Sequence, residues 1–92
     1  MRLSLPSYYQ PTDLEKIYTE RAARVSDEAA EAKKKLPIKP AGQDKLKIAA
    51  FGIDVQIGFC TPGSSLFVPG AVEDTTRAVE WIYRNLDQIT GL

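Results

Sequence analysis

The 92-residue chain has no histidine, a single cysteine, one tryptophan and one methionine. Without histidine, this chain by itself has no Ser-His-Asp or Cys-His catalysis and no histidine-containing metal site. The lone Cys60 excludes an intrachain disulfide, and with it the covalent framework that rescues many small folds. An excess of one charge sign is also missing: twelve Lys and Arg offset twelve Asp and Glu, for a net charge of zero. That removes the broad field that draws a chain to nucleic acid or anionic lipid, so neither a nucleic-acid nor a membrane partner is expected. Long apolar runs are absent too. The longest, 48–60, contains Asp54 and Gln56 and is too short to span a bilayer. The first ten residues hold Arg2 and Pro6 and lack the continuous apolar core of a signal peptide. A cytoplasmic location is the default expectation.

What is present is ordinary for a globular chain. Hydrophobic residues make up 43% and charged residues 26%, which excludes collagen-like, coiled-coil-only and strongly disordered readings of the whole. Size sets the harder limit. A chain of roughly 90 residues buries only about 60–65% of the surface its unfolded state exposes, so its pattern must close on itself to give a stable core.

Residues 1–45 read as an N-terminal extension, composed of a helix over 12–35 and a Pro-containing arm. Thr12 and Glu15 have capping-box spacing, and Asp13 suits the positive end of a helix dipole. Leu14, Ile17, Tyr18, Ala22, Val25 and Ala29 recur at steps of mostly three and four, which makes one apolar stripe. Ser26 offers a start for a second short helix. The second half of this stretch, rich in Ala, Glu and Lys, owes its helicity to propensity more than to packing. Lys33, Lys34 and Lys35 stand where a helix favours cations. Pro37, Pro40 and Gly42 mark the arm, and the Tyr8-Tyr9 pair is placed to anchor the chain start by burying aromatic area.

Residues 46–92 read as a first strand, a long loop and a helix. The run 46–55, LKIAAFGIDV, shows no alternation of period two. Its continuous apolar character suits a strand buried on both faces, as in a parallel sheet covered by helices. The stretch 56–70 is the richest in turn formers, yet it holds Phe59, Leu66, Phe67 and Val68, so it is expected to lie over something as a site wall. Residues 71–89 form the clearest helix, with Val72, Thr76, Val79, Ile82, Tyr83, Leu86 and Ile89 on one face. Glu73 with Arg77, and Glu80 with Arg84, are spaced for favourable i,i+4 pairs. Strand, loop and helix make half of a βαβ unit, and a buried parallel strand needs neighbours. The expectation is therefore the first portion of a larger α/β domain. The alternative, a small unit with a single strand, leaves that strand's backbone groups unpaired.

Asp54 is the chemically notable residue. It ends the apolar run where open α/β sheets place their ligand crevices, and a partly desolvated carboxylate there suits acid–base work. The same position also suits an Asp whose side chain caps the following turn. Cys60 lacks a histidine to activate it and reads as a half-buried loop cysteine. Trp81 lies just off the apolar face of its helix and reads as packing. The spacing of Gly58, Gly63 and Gly70 matches no phosphate-loop fingerprint.

Taken together, Asp54-Val55-Gln56, Phe59-Cys60, Pro62-Gly63, Leu66 and Val68-Pro69-Gly70 resemble the opening of the isochorismatase-like cysteine hydrolases, in particular their nicotinamidase-related branch. The resemblance covers roughly 47–88, under half the chain. Leu5-Pro6-Ser7-Tyr8-Tyr9 and the Pro37–Pro40 arm resemble the extension carried by a bacterial subgroup of that branch. The resemblance implies a fold of class α/β: the N-terminal part of a three-layer α/β/α isochorismatase-like (Rossmann-like) domain with a helical N-terminal extension. It implies cleavage of C–N (amide) bonds through a thioester, with Asp54 as general base and Phe59 in substrate binding against the substrate ring. The family's triad also needs a lysine and a nucleophilic cysteine that lie downstream of the first helix. Cys60 does not correspond to that nucleophile, so this chain alone is expected to be inactive. The motif here reads Asp-Val-Gln-Ile-Gly-Phe where nicotinamidases continue Asp-Val-Gln-Asn-Asp-Phe, which separates the substrate from nicotinamide. For a complete protein the resemblance implies a small-molecule amide substrate, a homo-oligomer as in many members, and a zinc-type divalent metal if it is nicotinamidase-like. It assigns no cofactor or metal ligand within this chain. The competing reading is a non-catalytic interaction module, or truncated chain, that docks on a partner through its amphipathic helix and apolar loop.

Overall fold

The computed structural model describes residues 2–16 and 19–92. Its regular elements are two α-helices, α1 (Ala22–Lys35) and α2 (Ala71–Arg84), joined by irregular chain with three short 3₁₀ turns at Pro11–Asp13, Ala41–Gln43 and Ile57–Phe59. Among the described residues there is no strand and no sheet, so the expected three-layer α/β architecture is not what this chain forms. The physical reason lies at 46–55. A strand exists only when its backbone groups pair with a neighbour, and here pairing is limited to one parallel bridge between Ala49 and Gly91. The Ala50 N–H donates to the Gly91 carbonyl at 2.9 Å, and the N–H groups of Thr90 and Gly91 donate to the Ile48 carbonyl at 2.7 and 3.2 Å. The pairing stops there.

The predicted helix over 12–35 is shorter than expected. Pro11, Thr12 and Asp13 form a 3₁₀ turn, and Gln10 at its start makes no side-chain cap. Arg21 Nη1 instead reaches the Asp13 carboxylate, and Arg21 Nη2 donates to the Tyr8 carbonyl at 2.9 Å. Burial works against ionisation of Asp13, but hydrogen bonds from Arg21 and Lys16 outweigh it and hold the carboxyl below its ordinary range. Ile17 and Tyr18, two members of the expected stripe, lie outside the described residues. From Ala22 onward the helix runs through Ser26 without a break and ends at Leu36, whose extended backbone leads into Pro37. Ion pairs Arg24–Glu28 (3.5 Å) and Glu31–Lys34 (2.8 Å) lie on its exposed side.

α2 begins after Gly70, which takes a left-handed φ of 89° that favours glycine. Glu73 and Asp74 occupy its first turn, at the positive end of the dipole. It stops at Arg84, short of the expected end at 89. Asn85 leaves helical geometry, and its side-chain amide donates to the Trp81 carbonyl at 2.7 Å, taking up one of the helix's orphan acceptors. Arg77 pairs with Asp74 rather than with Glu73. The N-terminal arm crosses this helix. Leu3 N–H donates to the Arg84 carbonyl at 2.9 Å, while Tyr8 meets Tyr83 edge-on at 6.1 Å and Tyr9 lies tilted on it at 5.9 Å.

The core is thin. Among the described residues only Leu3 and Cys60 are buried, and no polar residue is. The radius of gyration, 14.8 Å, exceeds the roughly 12 Å of a compact chain this long. No described helix is long and apolar enough to cross a membrane.

Candidate functional site

The site forms where the apolar run 46–53 turns into the loop. At Asp54 the backbone enters the left-handed region with φ 55°, the only non-glycine among the described residues to do so. Asp is one of the few residue types that accept this conformation. The chain then winds through Ile57–Phe59, closed by Cys60 N–H and Thr61 N–H donating to the Ile57 carbonyl at 2.9 and 3.0 Å. Gly63, with φ 85°, lets the loop reverse. The returning strand of loop is fastened to the turn by Val68 N–H donating to the Phe59 carbonyl at 3.0 Å, and Ala71 N–H donates to the Val68 carbonyl at 3.0 Å. The first turn of α2 is thereby set opposite Asp54.

Between these walls lies an open cleft of about 290 Å³, lined by Ile53, Asp54, Val55, Gln56, Phe59, Val68, Ala71, Asp74 and Thr75. Asp54 and Phe59, the two residues singled out from the sequence, share it. Asp54 is exposed, not partly desolvated as its place at the end of an apolar run suggests. Its carboxylate accepts a hydrogen bond from the Gln56 side-chain amide at 2.6 Å, and the 3₁₀ turn that follows has no side-chain cap. Phe59 is half-buried, so one part of its ring remains available to the cleft.

Cys60 is buried beneath the turn. Its Sγ lies 3.7 Å from Thr75 Oγ1, and it borders a separate apolar hollow with Leu14, Val55, Ile57 and Val79 rather than the Asp54 cleft. Asp74 and Thr75 are the lining residues that sequence reasoning missed. Asp74 reads as a helix-start acid, and only the loop's return brings it across from Asp54. The sole sequence signal is its place one turn into the helix that follows the crevice loop. The lining carries two carboxylates and no Lys or Arg, and Asp74 is paired with Arg77. The chain has no histidine, and among the described residues no three Cys, Asp or Glu converge. On the N-terminal side, Asp13, Glu20 and Tyr9 are shifted from their ordinary values. The Tyr9 hydroxyl is raised above the ordinary phenol range by burial first and by the Glu80 carboxylate second.

Compared with known proteins, the chain matches no family model, no curated protein and no solved structure.

Proposed function

We propose that the Asp54–Phe59 cleft is the base-bearing side of a cysteine-hydrolase site of the isochorismatase type, acting on the C–N bond of small amides. The observation that supports this reading best is Asp54 itself. It ends an apolar run, stands in a left-handed conformation and shares a cleft with an aromatic ring.

In this reading Asp54 takes the proton of a thiol. The thiolate adds to the amide carbonyl carbon, forming a C–S bond. Collapse breaks the C–N bond, and the amine departs with a proton. Water then attacks the thioester carbonyl, which releases the acid and restores the thiol. Gln56, bonded to Oδ1, orients the carboxylate so that its other oxygen serves as base. Phe59 offers a flat apolar surface to a planar substrate. The thiol and a charge-stabilising lysine are not among the cleft's lining residues, and Cys60 is buried against Thr75. By this reading the 92 residues alone are therefore inactive.

The test is hydrolysis of nicotinamide and a panel of small amides by the gene's product as isolated from its source, beside the 92-residue chain, with the intact mass of each. The isolated product is expected to turn over an amide and the chain none. Asp54→Asn is expected to lower turnover at least about 10²-fold with helical circular dichroism unchanged, since Asp54 is exposed. Turnover that survives Asp54→Asn, or its absence across the panel, ends the proposal.

A further inference from the structure

Three segments of the chain leave a gap between them. Ala29, Ala32 and Leu36 lie three and four residues apart along α1 and its C-cap, share one face, and are all half-buried. Leu5 and Tyr8 of the arm, with Tyr83 and Leu86 at the far end of α2, make the other walls. The arm is held there by the Leu3–Arg84 backbone hydrogen bond and by the ring contacts on Tyr83. The two alanines are too short to close the space, and a groove of about 430 Å³ remains. It shares no lining residue with the Asp54 cleft. Protein interiors hold few voids larger than a water molecule, and this volume falls within the roughly 300–1,000 Å³ typical of small-ligand sites.

The lining fixes the class of ligand. It is apolar apart from Ser4, the two tyrosines and two lysines, and it contains no carboxylate. Lys33 and Lys35 are exposed, so their charges belong to the mouth of the groove while its walls are apolar. Among the described residues neither lysine has an ion-pair partner, and the nearby Glu31 is taken by Lys34.

We propose that this groove binds a free amphipathic carboxylate, its acyl tail lying along Ala29, Ala32 and Leu86 and its head at Lys33 and Lys35. This goes beyond the Asp54 reading and does not depend on it. The negative end of α1 opposes an anion here, but it is equivalent to about half a charge, against two full lysine charges. Each lysine is a point charge on a flexible stem, which suits a head carried on a flexible tail. An extended peptide is a poorer occupant, because its backbone donors and acceptors would be buried against apolar walls without partners. A membrane surface is a poorer source of the same head and tail. The chain's net charge of zero exerts no broad pull toward anionic lipid, and the apolar residues line a groove and not an outward-facing helix stripe.

The probes are decanoate, decylamine and decanol, each titrated below its micelle concentration into the methyl-labelled 92-residue chain. Decanoate is expected to shift the methyl signals of Leu5, Leu36 and Leu86 saturably and to bind at least about tenfold tighter than decylamine, with decanol between them. Lys33→Glu combined with Lys35→Glu, both at exposed positions, should reverse that order. Ala32→Leu fills the groove and keeps both lysines. It should lower decanoate affinity at least about tenfold with helical circular dichroism unchanged, since leucine is a good helix former. Equal binding of decanoate and decylamine, decanoate binding that survives either variant, or no saturable shift at these methyls would overturn the proposal. So would the same methyls covered at twice the monomer mass without ligand, which would assign the groove to a second copy.

Discussion

α1 and α2 are each fourteen residues long, yet they stand for different reasons. α1 is mostly Ala, Glu, Lys and Arg, and like α2 it has no side-chain cap at its start and no buried residue. Good intrinsic propensity, surface ion pairs and three lysines at its negative end account for it. α2 has β-branched and aromatic residues, Val72, Thr75, Thr76, Val79, Trp81, Ile82 and Tyr83, which are weaker helix formers. Contacts sustain it. The N-terminal arm hydrogen-bonds its last turn, the Tyr8-Tyr9 pair rests on Tyr83, and Cys60 lies against Thr75. In a chain with so thin a core, one helix is the hub of the tertiary structure and the other is close to a free-standing helix. Changes in α2 should therefore travel, and changes in α1 should stay local.

The largest effect is expected at Tyr83, where both arm tyrosines converge. Tyr83→Ala removes a half-buried ring and its two aromatic neighbours, at a cost of about 2 kcal/mol. For a small, thinly packed domain that is a large share of its total stability. Thermal unfolding of this variant followed by circular dichroism should lose its cooperative step, and proteolysis should reach the arm. If the melt keeps its midpoint, α2 is not the hub.

A smaller and reversible break is available through pH. Tyr9's phenol pKa is raised in the folded chain, by burial first and then by Glu80, so the folded state favours the neutral hydroxyl. The stability this contributes is complete below the unfolded value of about 10 and is lost as pH rises through the higher folded value. Above about pH 10 the arm should leave α2, read as loss of the Tyr8–Tyr83 ring contact by NMR. Tyr9→Phe should abolish that alkaline step. An identical step in Tyr9→Phe would assign it to another group.

Much of this asymmetry is visible in the sequence, and the exceptions share one cause. The start of α2 is legible because Gly70 and the acids behind it are local signals. Its end is not, since Leu86 and Ile89 prolong the apolar period while Asn85 breaks it by bonding back to the Trp81 carbonyl. The start of the first helix is misjudged for a like reason. Thr12 and Glu15 have capping-box spacing, but Pro11 fixes a 3₁₀ turn and Asp13 is drawn to Arg21, eight residues on. The apolar character of 46–55 is plain, but whether it becomes a strand depends on neighbours distant in sequence, and only Ala49 has one. Asp54 and Phe59 could be picked out locally. Asp74 could not, because the loop's return at Val68 is what carries it to the cleft. Local signals are readable one residue at a time, whereas pairing is not.

The gentlest probe sharpens the comparison from the other side. Ala30 is exposed in the middle of α1, so Ala30→Gly removes no tertiary contact and acts through helix propensity alone, worth about 1 kcal/mol. In α2 a loss of that size would be shared across the arm and the tyrosine cluster. In α1 it has nowhere to go but the helix itself, whose own stability is marginal at fourteen residues. The expected outcome is a partial fall in helical circular dichroism and faster amide exchange confined to Ala22–Lys35, with the Tyr8–Tyr83 and Tyr9–Tyr83 ring contacts unmoved. Exchange that quickens equally in α2 would mean that the half-buried face of α1, through Ala29 and Ala32, is coupled to the hub after all, and the two helices would then have to be counted as one cooperative unit.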